Sequence, residues 1–295
     1  MRKEKLALPA PFNEDFTGIV TRVKRVRQWA IADLVNSAKV ATFLKAGSIL
    51  IEREFSFHEL SRSRPDARAG TYWSGLRFLT QHALMEQVRL LDPPFEHGQT
   101  EGTLRATWDS HDDYIDDLLT FFFNPINYEH QYGVDEATRK EWFAHESLAD
   151  AIIETAHQEL AALCRMPLFR LQVMIAAVAG RDDKIRMAIA DNYRGAIEPW
   201  VKIYEETLAA HSLRVREDVT LREIADMLAA VVEGFAIRSL GDPTAEVVAE
   251  HPGRNLVGKA VLGILNSYLV PIDRPAKESL ADEFDRRTKR SRPQD

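Results

Sequence analysis

The sequence predicts an all-α protein. Apolar residues recur at three- and four-residue spacing along its longest segments, whereas alternating β-branched runs are nearly absent, so no clear strand is expected. The chain has 295 residues, of which 45% are hydrophobic and 28% charged. This is an ordinary globular composition, with enough apolar side chains for one large or two modest helical domains.

The front half contains the less regular helical segments. Helices are predicted at residues 38–53, 58–63, 68–77 and 82–90, the last stopped by Pro93-Pro94. Residues 96–102 read as a polar linker. Further helices are predicted at residues 108–123 and 137–143, with Asn124-Pro125 and Gly133 between them.

The back half begins with stronger helical patterns. Residues 148–163 carry one apolar stripe, which indicates an amphipathic helix with that stripe turned inward, and Pro167 interrupts it. Residues 168–179 are apolar almost all round, as in a helix buried inside a bundle. Residues 182–209 predict a long helix in which Pro199 introduces a kink.

Two further helices and a tail complete the chain. Thr220 and Glu223 have the spacing of a capping box, which predicts that a helix begins there and runs to Leu240. Residues 255–269 predict the last strong helix. Beyond Asp273 the chain is charged and contains proline, so this tail is expected to be frayed or disordered.

The charge is unevenly distributed, although the formal net charge is only −7. Basic residues near the N-terminus have no acid among them: Arg22, Lys24, Arg25 and Arg27. Acidic residues dominate the middle: Asp109, Asp112, Asp113, Asp116 and Asp117. The net value argues against wholesale coating by nucleic acid, while the basic N-terminal part remains a candidate for phosphate contacts.

Cysteine usage and the N-terminus bear on the compartment. Cys164 is the single cysteine, which excludes an internal disulfide and a cysteine-based zinc site within one chain. No apolar run approaches the roughly 18 residues of a membrane span, and Pro9 and Pro11 interrupt the apolar start. We therefore expect a cytoplasmic protein that does not bind a membrane.

The helices between residues 148 and 269 resemble the C-terminal half of TetR-type transcriptional regulators. The resemblance is carried by the runs PLFRLQ from Pro167, AIADNY from Ala188, YEETL from Tyr204 and LREIADMLAAVVEGFAIRSLGDP from Leu221. It implies that the last two helices form a four-helix bundle with those of a second subunit. The interface residues it predicts are Leu228, Val231, Phe235, Leu262 and Leu265. A helical hairpin packed on its own core is the alternative.

The resemblance also implies a three-helix DNA-binding domain before that region. Residues 41–55, the run HELSRS from His58, the run GTYWSGL from Gly70 and the run TQHALM from Thr80 take the corresponding places. The DNA contacts it implies are Arg62, Arg64, Arg68, Thr71, Tyr72 and Trp73. However, RPDA from Arg64 replaces the family's turn, and the spacing is altered. Because this turn aims the recognition helix, a decayed domain kept for packing is the alternative.

Aromatic residues are frequent between positions 91 and 143, a region that would border the ligand cavity of such a protein. Aromatic walls with a few polar groups are typical of small-molecule pockets. The residues predicted to line this pocket are Trp108, Tyr114, Phe122, Phe169, Met174 and Trp200. The alternative is that these side chains belong to the core.

One motif is compatible with a metal. Glu154-x-x-His157 has the spacing found in di-iron bundles, but no second Glu-x-x-His motif accompanies it on another helix. The sequence also contains no glycine-rich phosphate loop and no Gly-x-Ser-x-Gly turn. We therefore expect no metal, no cofactor and no enzymatic activity; a helical metalloenzyme using Glu154 and His157 is the rival hypothesis.

These observations predict four segments: a basic N-terminal extension at 1–36, a helix-turn-helix-like domain at 37–90, a helical ligand-binding and dimerisation domain at 91–272, and a charged tail at 273–295. The predicted function is a TetR-like regulator that binds DNA as a homodimer and responds to an apolar small molecule. The alternative is a dimeric small-molecule-binding or interaction protein whose N-terminal domain does not read DNA.

Overall fold

The computed structural model describes residues 7–24, 27–56, 76–95, 99–127, 147–177, 183–242, 255–273 and 279–290. Within these ranges the chain is mostly helical, which confirms the predicted helical class. The helices are α1 (Gln28–Val35), α2 (Ala38–Phe55), α3 (Gln81–Arg89), α4 (Glu101–Thr107), α5 (His111–Phe122), α6 (Leu148–Arg165), α7 (Pro167–Ala176), α8 (Asp183–Ala210), α9 (Leu221–Gly241), α10 (Leu256–Tyr268) and α11 (Leu280–Arg290). The strands are β1 (Leu213–Val215) and β2 (Leu269–Pro271).

The chain divides into two compact units. The first comprises Met1–Gln131 and Arg165–Tyr193, and the second comprises Tyr132–Cys164 and Arg194–Asp295. The predicted segments 1–36 and 37–90 therefore share the first unit with residues that follow them. No helix in the described part of the chain is both long enough and apolar enough to cross a membrane.

Helix α2 is the centre of the first unit. It packs against α3, α5 and α7, and its buried apolar residues include Phe43, Leu44 and Leu50. Gly47 lets α5 come close, because an added Cβ would lie 2.3 Å from the Tyr114 hydroxyl oxygen. That hydroxyl donates a hydrogen bond of 2.9 Å to the Phe43 carbonyl oxygen, so the buried tyrosine is satisfied at this contact.

Within the first unit, the N-terminal segment packs against the helices through aromatic side chains. The ring of Phe12 lies 5.3 Å from that of Phe95 and 5.4 Å from that of Phe121, measured between centroids. Phe16 lies 5.3 Å from Phe121 and is 1% exposed. Burial of these rings fixes the described part of the predicted basic extension against the helices.

A buried carboxylate holds the same segment. Asp117 of α5 is 1% exposed, and it accepts hydrogen bonds from the backbone N–H groups of Thr21 at 2.8 Å and Arg22 at 2.9 Å. It also accepts a bond of 2.8 Å from the indole N–H of Trp108. Three N–H donors thus converge on one charge, which offsets the cost of burying it.

The second unit is built around α9 and α10, which pack against each other. Gly258 of α10 also lies close to α6, since an added Cβ would be 2.9 Å from Ile153. The capping box predicted at the start of α9 is confirmed. Thr220 Oγ1 accepts a bond of 3.2 Å from the Glu223 N–H, and the Glu223 carboxylate accepts one of 2.7 Å from the Thr220 N–H. These bonds lower the pKa of Glu223.

The expectation of no strand is wrong for the second unit. β1 and β2 pair antiparallel, with Leu213 opposite Pro271 and Val215 opposite Leu269. Each strand has three residues, too short to show the alternation on which a sequence prediction depends. Pro271 stands at the end of the pairing, where its missing N–H is tolerated.

The expectation of a disordered tail is also wrong for residues 280–290. They form α11, whose first turn is capped by a bond of 3.2 Å from the Asp282 N–H to Ser279 Oγ. Likewise, the predicted linker at 96–102 overlaps α4, which begins with a capping box between Thr100 and Thr103. Local capping and tertiary contacts outweigh polar composition at both sites.

Candidate ligand-binding site

The residues predicted to contact DNA lie outside the described part of the chain. All six, from Arg62 to Trp73, fall between residues 57 and 75. Three of the four basic residues near the N-terminus are described: Arg27 is exposed, and Arg22 and Lys24 are paired with acids. Arg22 lies 3.3 Å from the Asp116 carboxylate, and Lys24 lies 3.7 Å from the Asp109 carboxylate.

The six predicted pocket residues are distributed over both units. Trp108 and Tyr114 pack edge to face in the first unit with centroids 5.1 Å apart, and both are buried. Burial raises the pKa of Tyr114. Phe169 is buried in α7, where Met174 is half-buried. Trp200 lies in the second unit with its ring 5.9 Å from that of Tyr204.

A cavity lies beside Phe122, one of the predicted pocket residues. The cavity measures about 600 Å³ and is bordered by Phe122 of α5, Glu52 and Arg53 of α2, and Met166 and Pro167. Burial raises the pKa of Glu52, an effect that the charge of Lys45 opposes. This cavity lies wholly within the first unit.

The five predicted interface residues fall into two groups within the second unit. Leu228 and Leu265 are only 4% and 8% exposed, so they belong to the core that α9 and α10 form within one chain. Val231, Phe235 and Leu262 are half-buried.

A cavity in the second unit measures about 890 Å³. Its walls come from α6, the β1–β2 ribbon, α10 and α11. The apolar residues that border it include Leu148, Ile152, Leu213, Leu265 and Leu269. Its size falls within the range of small-molecule sites, about 300–1,000 Å³.

A buried arginine borders this cavity. Arg216, which follows β1, is 9% exposed and donates a hydrogen bond of 3.3 Å to the Ser267 carbonyl oxygen. Its guanidinium also donates one of 2.8 Å to the Glu283 carboxylate of α11, and its Nε lies 4.0 Å from the Asp218 carboxylate. The hydrogen bond from Arg216, together with Arg287, lowers the pKa of Glu283.

The sequence prediction missed both partners of the Arg216–Glu283 ion pair. Glu283 and Arg287 are four residues apart, and Leu280 and Phe284 have the same spacing, so the pattern of an amphipathic helix was present in the tail. Arg216 carried no comparable signal, because its partner lies 67 residues further along the chain.

Glu159 and Tyr204, both half-buried, form a second pair of interacting titratable groups in the same unit. Burial raises the pKa of Glu159 on α6. Burial also raises the pKa of Tyr204 on α8, and the charge of Glu159 raises it further.

Among the described residues, the Glu154-x-x-His157 motif is not part of a cluster of three or more potential metal ligands. Glu154 is exposed and accepts a hydrogen bond of 3.3 Å from Gln158, while His157 is half-buried.

Comparison of the chain with protein-family models, curated proteins and solved structures gives no match. The site's own geometry therefore carries the functional argument, together with the sequence patterns.

Proposed function

We propose that this chain is a ligand-responsive transcriptional regulator of the TetR type, which binds DNA as a homodimer and uses neither a catalytic step nor a cofactor. The observation that carries the proposal is the pair α9 and α10. Each of these helices has one apolar face turned into its own unit and a stripe of small and apolar residues on its more exposed side.

Helix α9 shows the two faces clearly. Its inward face contains Ile224, Ala225, Leu228 and Ala236, all buried. At three- and four-residue spacing on the more exposed side lie Met227, Ala230, Gly234 and Ile237. Ile237 is 48% exposed, so its side chain is available for contact with a second surface.

Helix α10 repeats the arrangement. Its inward face contains Val257, Val261 and Leu265, which are buried. On the opposite side lie Leu256, Ala260, Gly263 and Ser267. Leu256 is 48% exposed. A Cβ added at Gly263, or at Gly234 of α9, would meet no atom within 4 Å, so another backbone can approach both helices closely.

A second copy of the chain is the occupant that fits these outward faces. In a two-fold dimer the same patch meets itself, so each outward stripe of small and large apolar residues finds an equivalent stripe on its partner. Two helices from each subunit then make a four-helix bundle. The inward faces satisfy the packing of a single chain, and the outward faces are left for the dimer.

The DNA-reading part of the proposal rests on the sequence between Arg62 and Trp73. Because Arg22 and Lys24 are already paired with Asp116 and Asp109, we assign the main phosphate contacts to that segment instead. If the segment packs without reading bases, the same dimer is a small-molecule-binding protein, which is the second candidate.

The 890 Å³ cavity supports a role for an effector. Leu262, Leu265 and Asn266 of α10 form part of its wall, and α10 also carries an outward apolar stripe. A ligand that prefers one position of α10 would therefore change the dimer geometry and, through it, the spacing of two DNA-binding domains. The size of the response is set by the difference in ligand affinity between the two states.

Sedimentation velocity tests the dimer. We expect the wild-type chain to sediment at twice its mass of 33.5 kDa, and Gly234→Glu and Ile237→Glu to sediment as monomers because each places a charge in the apolar interface. Gly102→Glu and Leu90→Glu are matched controls, since both replace exposed residues of the first unit. A monomeric wild type, or a Gly234→Glu protein that stays dimeric, would contradict the proposed interface.

A further inference from the structure

The cavity beside Arg216 has the polarity of a site for an anion with an apolar body. Three arginines border it, namely Arg216, Arg286 and Arg287, whereas Glu283 is the carboxylate among its described lining residues. The remaining walls are mainly aliphatic. A guanidinium binds a carboxylate through paired, charge-assisted hydrogen bonds, and burial strengthens them by excluding water.

The carboxylate of Glu283 already forms an ion pair with Arg216. Glu283 reaches it from α11 at 2.8 Å and also pairs with Arg287 on its own helix. A second link holds the start of α11, since the Leu280 N–H donates a bond of 3.2 Å to the Asp218 carboxylate.

Helix α11 covers the cavity without filling the space around it. Leu280 and Phe284 border the 890 Å³ cavity on one side and a cavity of about 660 Å³ on the other, and Phe284 remains 65% exposed. A helix with space on both sides gains little from close packing, so its attachment depends strongly on the polar contacts of Glu283 and Leu280.

We propose that the Arg216 cavity binds a small molecule with a carboxylate on an apolar body, and that Glu283 occupies the place of that carboxylate in the ligand-free chain. On binding, the ligand carboxylate forms the paired hydrogen bonds to Arg216, its apolar body lies along Leu148 and Leu265, and α11 is released. The inference rests on the proposed function in taking this molecule as the effector, and it names the chemical class of that effector.

Isothermal titration calorimetry of the full chain with decanoate, in a carboxylate-free buffer below the micelle concentration, tests the site. We expect saturable decanoate binding, binding of 1-decanol at least about tenfold weaker, and no saturable binding of acetate, because both the charge and the apolar body are needed. Arg216→Met should weaken decanoate binding by about tenfold or more.

The Glu283→Gln variant tests whether Glu283 competes with the ligand carboxylate for Arg216 or only stabilises the fold. Removing the competing carboxylate should make decanoate bind more tightly than to wild type, whereas Glu217→Gln, an equal charge change at an exposed neighbour of Arg216, should leave the affinity unchanged. Hydrogen exchange of the α11 amides should become faster when decanoate is added to wild type.

Several results would overturn the inference: no decanoate binding by wild type and Glu283→Gln alike, equal binding of decanol, or weaker binding by Glu283→Gln. The decanol comparison and the Glu283→Gln titration test the inference even if Arg216→Met does not fold. These titrations contain no DNA, so their failure leaves the dimer and DNA proposals standing, and a failure of DNA binding leaves the carboxylate site standing.

Discussion

Replacing Asp117 by Asn should destabilise the first unit, because the carboxylate accepts from donors on both of its oxygens. One oxygen accepts from the Thr21 N–H at 2.8 Å, the other from the Trp108 indole N–H at 2.8 Å, and the Arg22 N–H lies within 3.0 Å of both. An asparagine has one oxygen, so its NH₂ group must face a donor on one side.

The magnitude follows from which donor loses its partner. Thr21 is exposed, and water can replace a bond to its N–H. Trp108 is 1% exposed, so the asparagine oxygen stays on its indole N–H, and the NH₂ group faces the backbone N–H groups of Thr21 and Arg22. With those bonds and the charge assistance lost, we expect Asp117→Asn to lower the free energy of unfolding by about 1–3 kcal/mol.

Urea unfolding followed by far-UV circular dichroism measures the loss, and limited trypsin digestion reports whether the chain after Arg22 and Lys24 is released. Asp116→Asn is the matched control, because it neutralises the partly exposed pair with Arg22 and should cost at most about 1 kcal/mol. If Asp117→Asn and Asp116→Asn unfold at the same urea concentration and are cut at the same rate, the carboxylate does not hold the segment.

Three further predictions concern packing, pH and DNA. Gly47→Ala should cost about 1–3 kcal/mol of unfolding free energy, because the new methyl group meets the Tyr114 hydroxyl at 2.3 Å; urea unfolding equal to wild type would contradict this. Since burial raises the folded-state pKa of Glu159, the stability of wild type relative to Glu159→Gln should fall as the pH rises above 4.5, the ordinary pKa, through the folded-state value. Thermal melts of both proteins from pH 4 to pH 8 check the sign, and a constant difference would be inconsistent with it. Arg68→Ala should lower the slope of log affinity against log salt by about 0.9, measured by fluorescence anisotropy with duplex DNA, whereas Tyr72→Ala should mainly affect the cognate site. An unchanged slope would remove Arg68 from the phosphate contacts.

The helices that the sequence predicts well are those with local signals. α2, α8, α9 and α10 have three- and four-residue apolar spacing, and Thr220 with Glu223 marks the start of α9 to the residue. Such signals act within one or two turns, so a sequence displays them directly.

The features that sequence reasoning missed depend on distant partners. In the sequence Asp117 is one of five acidic residues between positions 109 and 117 with nothing to single it out, although its backbone partners lie 95 and 96 residues earlier in the chain. The aromatic residues Trp108 and Tyr114 could be recognised as apolar anchors, but whether they line a cavity or fill a core depends on tertiary packing. Arg216 with Glu283 is a third example, since neither residue is unusual in its local context.

The most direct test of the proposed function is selection of bound sequences from a random duplex DNA library at physiological salt. A dimeric regulator should enrich a sequence with two-fold symmetry, because each subunit reads one half-site. Salt-sensitive binding with no enriched sequence is what a local basic patch gives without base readout. Enrichment of a palindrome is the result we predict, and the absence of any enriched sequence would contradict the DNA-reading claim.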